Sequence, residues 1–227
     1  MALLLNIDTA TERAGVCLTR DEEVLAILET TEQKNHASFI QPAIKQLLAS
    51  SGYNLAAINA VAVSAGPGSY TGLRVGLATA KGLCYALNKP LIMLNTLEIM
   101  AFASKKHQKH RDLTNILFCP MIDARRMEVF TALYDHSLNI VSLPAAVILN
   151  EMSFSAGLQQ HIVVFSGSGS TKARVIQHPN AVFGETTYSV GEMAVLSSKA
   201  YKASFFANLA YSEPFYLKEF YKPIRKN

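Results

Sequence analysis

Two aspartates each close an apolar run, Asp8 in NIDTAT and Asp123 in MIDARR. A carboxylate at a strand end can hold metal-bound water beside a phosphate, or it can cap the N–H groups of the turn that follows. Two glycine-rich segments have the composition of anion loops. SAGPGSYTGLRVGLATAKGL (64–83) leads from an apolar run into a nearly uncharged one, and free N–H groups at a helix head suit an anion. SGSGSTK (166–172) also follows a strand-like run but lacks the full phosphate-loop spacing, which favours an ordinary turn. His107 and His110 are three apart, yet Lys105, Lys106, Lys109 and Arg111 flank them and would repel a cation. His36, His136, His161 and His178 stand alone in sequence. Ser69 and Tyr70 lie in a turn with no identifiable base or orienting group, so no nucleophile can be chosen. Cys17, Cys84 and Cys119 sit inside apolar runs with no CxxC pair, as reduced, buried thiols do.

The elements that must position these residues follow from periodicity. ALLLNID, AGVCLT and EVLAILETT are short, rich in strand formers and separated by polar turns, which predicts a three-stranded meander. NHASFIQPAIKQLLASSG has helical spacing, with Pro42 expected to kink it and Gly52 to end it. Strand INAVAVS, a helix over 70–87, strand LIMLN and a helix capped by Thr96 complete the order βββαβαβα. After the polar break SKKHQKHRDLTN the order begins again with NILFCPMID, RMEVFTALY and LNIVSLPAAVIL. A short helix near EMSFSAGL, strand IVVFSGS, a helix near TKARVIQ, strand AVF and a helix over about 191–206 form a smaller copy. The fold class is α/β, with mixed sheets carrying helices on their faces, and the expected division is 1–106 and 107–227.

Composition limits the function. Half of the 227 residues are hydrophobic and 17% are charged, a balance that leaves apolar surface for an obligate partner. The net charge of +4 is mild and gathers in SKKHQKHRD and the terminal YKPIRKN, without the interleaved aromatics of a nucleic-acid patch. There is no basic leader before an apolar run and no segment of membrane-spanning length, so a cytoplasmic protein is expected.

The repeated order resembles the duplicated ribonuclease-H-like lobes of the actin, hexokinase and Hsp70 superfamily. The segments NIDTAT, NHASFIQPAIKQLL, SAGPGSYTGLRVGLATAKGL, MIDARRMEVFTALY and EPFYLK together make the chain similar to the bacterial TsaB (YeaZ) family. Lys218 departs from it, standing where the family often carries arginine. The resemblance implies a non-catalytic subunit without cofactor or metal. It would pair with its paralogue TsaD, the transferase that installs threonylcarbamoyl on adenosine 37 of tRNAs reading ANN codons. The ATPase TsaE would complete the assembly, a separate synthase would supply threonylcarbamoyl-adenylate, and contact with tRNA would be indirect or weak. A homodimer is expected to be possible when the chain is alone.

The resemblance also bears on chemistry. TsaD holds its metal with two histidines four apart in a stretch resembling VNHMEGH; the matching LNTLEIM has Thr96 and Met100 there, which counts against a metal-dependent peptidase. Nucleotide-binding members of the superfamily follow the strand-end aspartate with a glycine, and here Ala10 and Arg125 occupy that position, which counts against an ATP-dependent phosphotransferase. From Tyr70 to Leu87 only Arg74 and Lys81 are charged, so this helix must be covered. The helix over 36–50 can cover it within the same lobe, or both helices can form a docking surface, with Gly72, Gly76 and Ala80 permitting close helix approach. TsaB proteins pair through these two helices, which implies a partner-binding set of His36, Phe39, Ile40, Ala43, Leu47, Tyr70, Thr71, Arg74, Val75, Ala78 and Lys81.

Overall fold

The computed structural model of the chain describes residues 1–32, 36–108, 114–185 and 187–218. Lys109, His110 and Arg111 of the polar break and the terminal YKPIRKN lie outside them. Strands β1 (Leu3–Asp8), β2 (Ala14–Arg20) and β3 (Glu23–Thr30) form the antiparallel meander. Strands β4 (Ala60–Gly66) and β5 (Leu91–Asn95) add to β1 in parallel, giving the order β3-β2-β1-β4-β5. In the second sheet β6 (Ile116–Asp123), β7 (Glu128–Tyr134) and β8 (Ile140–Ile148) form the meander, and β9 (Ile162–Ser166) and β10 (Ala181–Phe183) the parallel half. Its order, β8-β7-β6-β9-β10, repeats that of the first sheet strand for strand.

Central strands buried on both faces read as unbroken apolar runs, and β1 and β4 do so. Alternation then divides their side chains between two cores. Leu3, Leu5 and Ile7 join the core under α1 (His36–Ser50) and α2 (Tyr70–Leu87), with Ile40, Leu47, Leu77 and Cys84. Leu4 points the other way, towards Ile99 of α3 (Thr96–His107) and Met193 and Leu196 of α5 (Met193–Lys202). Helix α1 continues through Pro42, which is exposed.

Helix α3 serves both sheets. Ile99 packs on the first, while Leu97, Met100 and Ala101 meet Ile116, Phe118 and Tyr134 of the second, and Ser104 Oγ lies 2.6 Å from Ser166 Oγ. Its cap is Asn95, whose side chain accepts from Leu97 N at 2.9 Å, and the expected cap Thr96 is instead a buried first-turn residue. A further core on the outer face of the second sheet joins Met121, Val129 and Phe165 with Leu158 of the short α4 (Ser155–Gln160).

The last helix differs from expectation in length and place. It ends at Lys202, and it lies on the first sheet against β1 and β5. One helix shared between two sheets cannot cover the whole inner face of the first, and Met193 and Leu196 complete that face. The chain then crosses the edge of β5, where Ala207 N donates to Leu91 O at 2.8 Å, and runs over α2 to Lys218, whose ammonium pairs with Glu128 of β7 at 2.5 Å.

Glycine has a steric role where α2 meets the end of β1. A Cβ on Gly72 would overlap the Thr9 carbonyl oxygen, and one on Gly76 the Thr9 hydroxyl. These small residues therefore seat α2 on its own sheet and do not serve the close helix approach expected of them. Gly82, by contrast, has open space. Thermal melts should separate the two cases. Gly72→Ala is expected to cost about 2 kcal/mol, roughly 4–8 °C of melting temperature, whereas Gly82→Ala should gain a few tenths of a kcal/mol up to about 1. Equal melting temperatures for the two variants would contradict the packing assigned to Gly72.

Candidate functional site

The two aspartates make the same turn in both lobes. Asp8 Oδ1 accepts from Ala10 N at 2.9 Å, and Asp123 Oδ1 from Arg125 N at 2.6 Å. Their surroundings then differ. Asp8 is buried and also accepts from Ser64 Oγ at 2.6 Å; burial pushes its carboxyl above the ordinary value more than these hydrogen bonds lower it. Asp123 is partly open. Desolvation works to raise its pKa, but the Lys172 ammonium at 2.6 Å and the Arg125 N–H overcome that and hold the carboxyl low.

Between these turns lies a cleft of about 510 Å³, lined by Ala10, Glu12 and Ser69 on one side and by Asp123, Arg125 and Ser168 on the other. Its glycine turn is occupied by the protein's own groups. Ser69 N donates to Ala10 O at 2.7 Å, Gly72 N to Ser69 Oγ at 3.3 Å, and a Cβ on Gly68 would overlap the Ala10 carbonyl. Where SGSGSTK is expected to be a turn and TKARVIQ a helix, the chain forms one 3-10 helix over Ser168–Val175. Its Ser168 Oγ accepts from Asp123 N at 3.2 Å, and Lys172 neutralises Asp123. Arg125 and Arg126 have φ of 71° and 46°, the left-handed region that favours glycine, so Cβ atoms stand where a phosphate would approach. Among the described residues no three His, Cys, Asp or Glu side chains converge as a metal site would need. Thr96 and Met100 are both buried in the core.

The expected partner-binding set divides between two faces. Ile40, Ala43 and Leu47 point into the first core and present nothing outward, and His36 is buried with Nε2 3.3 Å from Glu12 O. These four are corrected to interior positions, because one face of an amphipathic helix must cover its sheet. Phe39 and Val75 are half-buried and pack on the same core. Thr71, Arg74 and Ala78 are exposed along the outer stripe of α2.

The tail uses Arg74 and the two remaining members of the set, Tyr70 and Lys81. The Arg74 guanidinium lies 4.1 Å from the Tyr70 ring centroid, and its Nε donates to Tyr216 Oη at 3.1 Å, while the two tyrosine rings are 5.1 Å apart. Lys81 Nζ donates to the carbonyls of Ala210 and Ser212 at 3.2 and 3.1 Å. Both charged residues of α2 thus hold residues 210–216 across the helix, a contact that nothing in the local pattern of EPFYLK indicates. Tyr85, 83% exposed, extends the outer stripe and was missed; it stands seven residues beyond Ala78, on the same helical face.

The raised pKa of Asp8 has a measurable consequence. Its folded value lies above the ordinary 3.8, so its contribution to stability is full below that value and is lost as pH rises through the folded pKa. Asp8→Asn keeps the oxygen that accepts from Ala10 N and Ser64 Oγ but cannot ionise. Melting curves between about pH 4 and pH 7 should show the variant gaining on the wild type as pH rises. A variant that loses several degrees at pH 7 would show that the carboxylate itself is needed.

The family model for "TsaD: tRNA N6-adenosine threonylcarbamoyltransferase" matches residues 23–218. The TsaB protein of Bacillus subtilis is 35% identical over 133 residues, 59% of this chain and 55% of that protein. That of Escherichia coli is 38% identical over 136 residues, 60% of this chain and 56% of its own. The match thus spans little more than half the length of these relatives. YeaZ from Pseudomonas aeruginosa superposes with a TM-score of 0.80 at 22% identity, covering 96% of this chain and all of that one, which establishes the shared fold. The chain belongs to the tRNA N6-adenosine threonylcarbamoyltransferase (TsaD) family, in its TsaB (YeaZ) group.

Proposed function

We propose that this chain is a non-catalytic accessory subunit in the formation of threonylcarbamoyladenosine at position 37 of tRNAs reading ANN codons, pairing with the transferase TsaD. The observation that carries this reading is the outer face of α1 and α2. Thr71, Ala78 and Tyr85 leave an exposed stripe beside half-buried Phe39, Val75 and Leu83. A face of this kind suits a helix pair from a second protein, and the names of the B. subtilis and E. coli relatives supply the pathway.

The cleft supports the same assignment from the other side. Asp8 is capped and buried, Asp123 is paired with Lys172, and the N–H groups of Ser69 and Gly72 are taken. At the positions that match the transferase histidines the chain offers a hydroxyl and a thioether. The chemistry then falls to TsaD, and this subunit acts by fixing the arrangement of its partner's lobes. TsaE joins the larger assembly, and the isolated chain can associate with itself through the same face. The working place is the cytoplasm; no helix of the described residues is long and apolar enough to cross a membrane.

Reconstitution tests this directly. TsaD, TsaE and the adenylate-forming synthase, given ATP, threonine, bicarbonate and tRNA, should modify adenosine 37 only when this chain is added, as read by nucleoside mass spectrometry. Asp123→Ala should retain that activity. Ala78→Glu puts bulk and charge at the centre of the exposed stripe and should lower affinity for TsaD by about thirtyfold or more, with the melting temperature unchanged. Activity lost with Asp123→Ala and indifferent to Ala78→Glu would mark the chain as an enzyme.

A further inference from the structure

The proposed docking face has a charge pattern that decides between possible occupants. From residue 33 to residue 97 the sequence contains no Asp or Glu, while Lys34, Lys45, Arg74, Lys81 and Lys89 are cationic. Both α1 and α2 lie wholly within this stretch. The tail brings the carboxylate of Glu213 near Arg74, at the N-terminal end of α2. On the other side, α1, the turn after it and α2 enclose an open groove of about 730 Å³. Pro42, Leu48, Tyr53, Leu55 and Leu83 help to form its apolar walls, and Lys45 is its one charged lining residue. Leu55 is 38% exposed, and Lys45 stands on the open face of α1.

We infer that this groove receives an apolar anchor of a partner protein flanked by carboxylates, and that Lys45 selects that partner over a second copy of this chain. The inference rests on the docking role proposed above and adds the chemistry of the partner's face. Two copies meeting through this face would bring Lys45 and Arg74 against the same cations, with no acidic residue from either helix to offset them. Like charges brought together at an interface suppress the wrong partner, and complementary ones speed encounter with the right one. RNA fits the groove less well. Its affinity comes from an array of phosphate contacts, whereas this groove offers one cation in an apolar wall, and Lys81 is already committed to tail carbonyls.

The test measures binding of purified TsaD from the same organism to the full chain at about 50 mM and about 500 mM salt, where screening differs several-fold. Lys45→Glu should weaken binding about tenfold at low salt and Lys45→Gln about threefold, with both differences shrinking at high salt. Leu55→Ala should weaken it at both salt concentrations. Lys45 is exposed, so neither of its variants should alter the melting temperature. In sedimentation of the isolated chain, Lys45→Glu should leave self-association unchanged or strengthen it, the opposite sign. Wild-type binding to TsaD that is indifferent to Lys45 and to salt would overturn the inference and leave the docking role standing, whereas no binding at all would remove both. A wild-type dimer broken by Leu55→Ala while TsaD binding is kept would make a second copy the occupant, and tRNA binding lost with Lys45→Glu while TsaD binding is kept would make it RNA; either result overturns the proposal.

Discussion

Helix α2 reaches the end of β1 only because residues 68, 72 and 76 carry no side chain. Thr9 Oγ1 donates to Gly72 O at 2.7 Å, and Ser69 N donates to Ala10 O at 2.7 Å, so the helix head is bonded to the turn that follows β1. This single close approach has two effects. It spends donors of a glycine-rich turn that could otherwise have faced an anion, and it fixes which stripe of α2 looks outward. The face towards the sheet is occupied by Gly72, Leu73, Gly76, Leu77 and Ala80, all buried, and the remaining stripe must meet solvent, the tail or another molecule.

The two lobes keep one local geometry and change its electrostatics. The first strand of each meander ends in an aspartate that caps the N–H two residues on, as short-range geometry dictates for this residue type in a turn. In the first lobe the carboxyl is buried against Ser64, whereas in the second a lysine from the neighbouring 3-10 helix is bonded to it. In both, Oδ1 is bonded within the chain. Both aspartates thus hold the protein's own turns, and Asp123 also lines the cleft between the lobes.

The tail ties the lobes together on the outside as α3 does on the inside. Aromatic stacking and a cation over a ring, each worth about 0.5–1.5 kcal/mol, hold Tyr216 to Tyr70 and Arg74. Phe215 N donates to Ala65 O at 2.7 Å, and Lys218 reaches Glu128 of the second sheet. The cations of α2 therefore act first within the chain, and the groove beside Lys45 and the stripe of Thr71, Ala78 and Tyr85 are left as outward-facing parts of the helix pair.

Sequence periodicity alone determined the order of strands and helices, because strand and helix patterns depend on neighbours along the chain. The aspartate at the end of each first strand marked the duplication, and Ala10 and Arg125 stood where the resemblance expects a phosphate-binding glycine, since both are local facts. Three features required the tertiary structure. Ile40, Ala43 and Leu47 share the apolar spacing of a docking helix, but spacing cannot say which apolar face meets the chain's own sheet. Helix α5 follows the second sheet in sequence and lies on the first, because the uncovered area that attracts it is created by α3 being shared between sheets. Arg74 and Lys81 look like free surface charges until residues 210–216 arrive from more than a hundred positions away. In each case the deciding partner is distant in sequence, and only folding brings it within bonding distance.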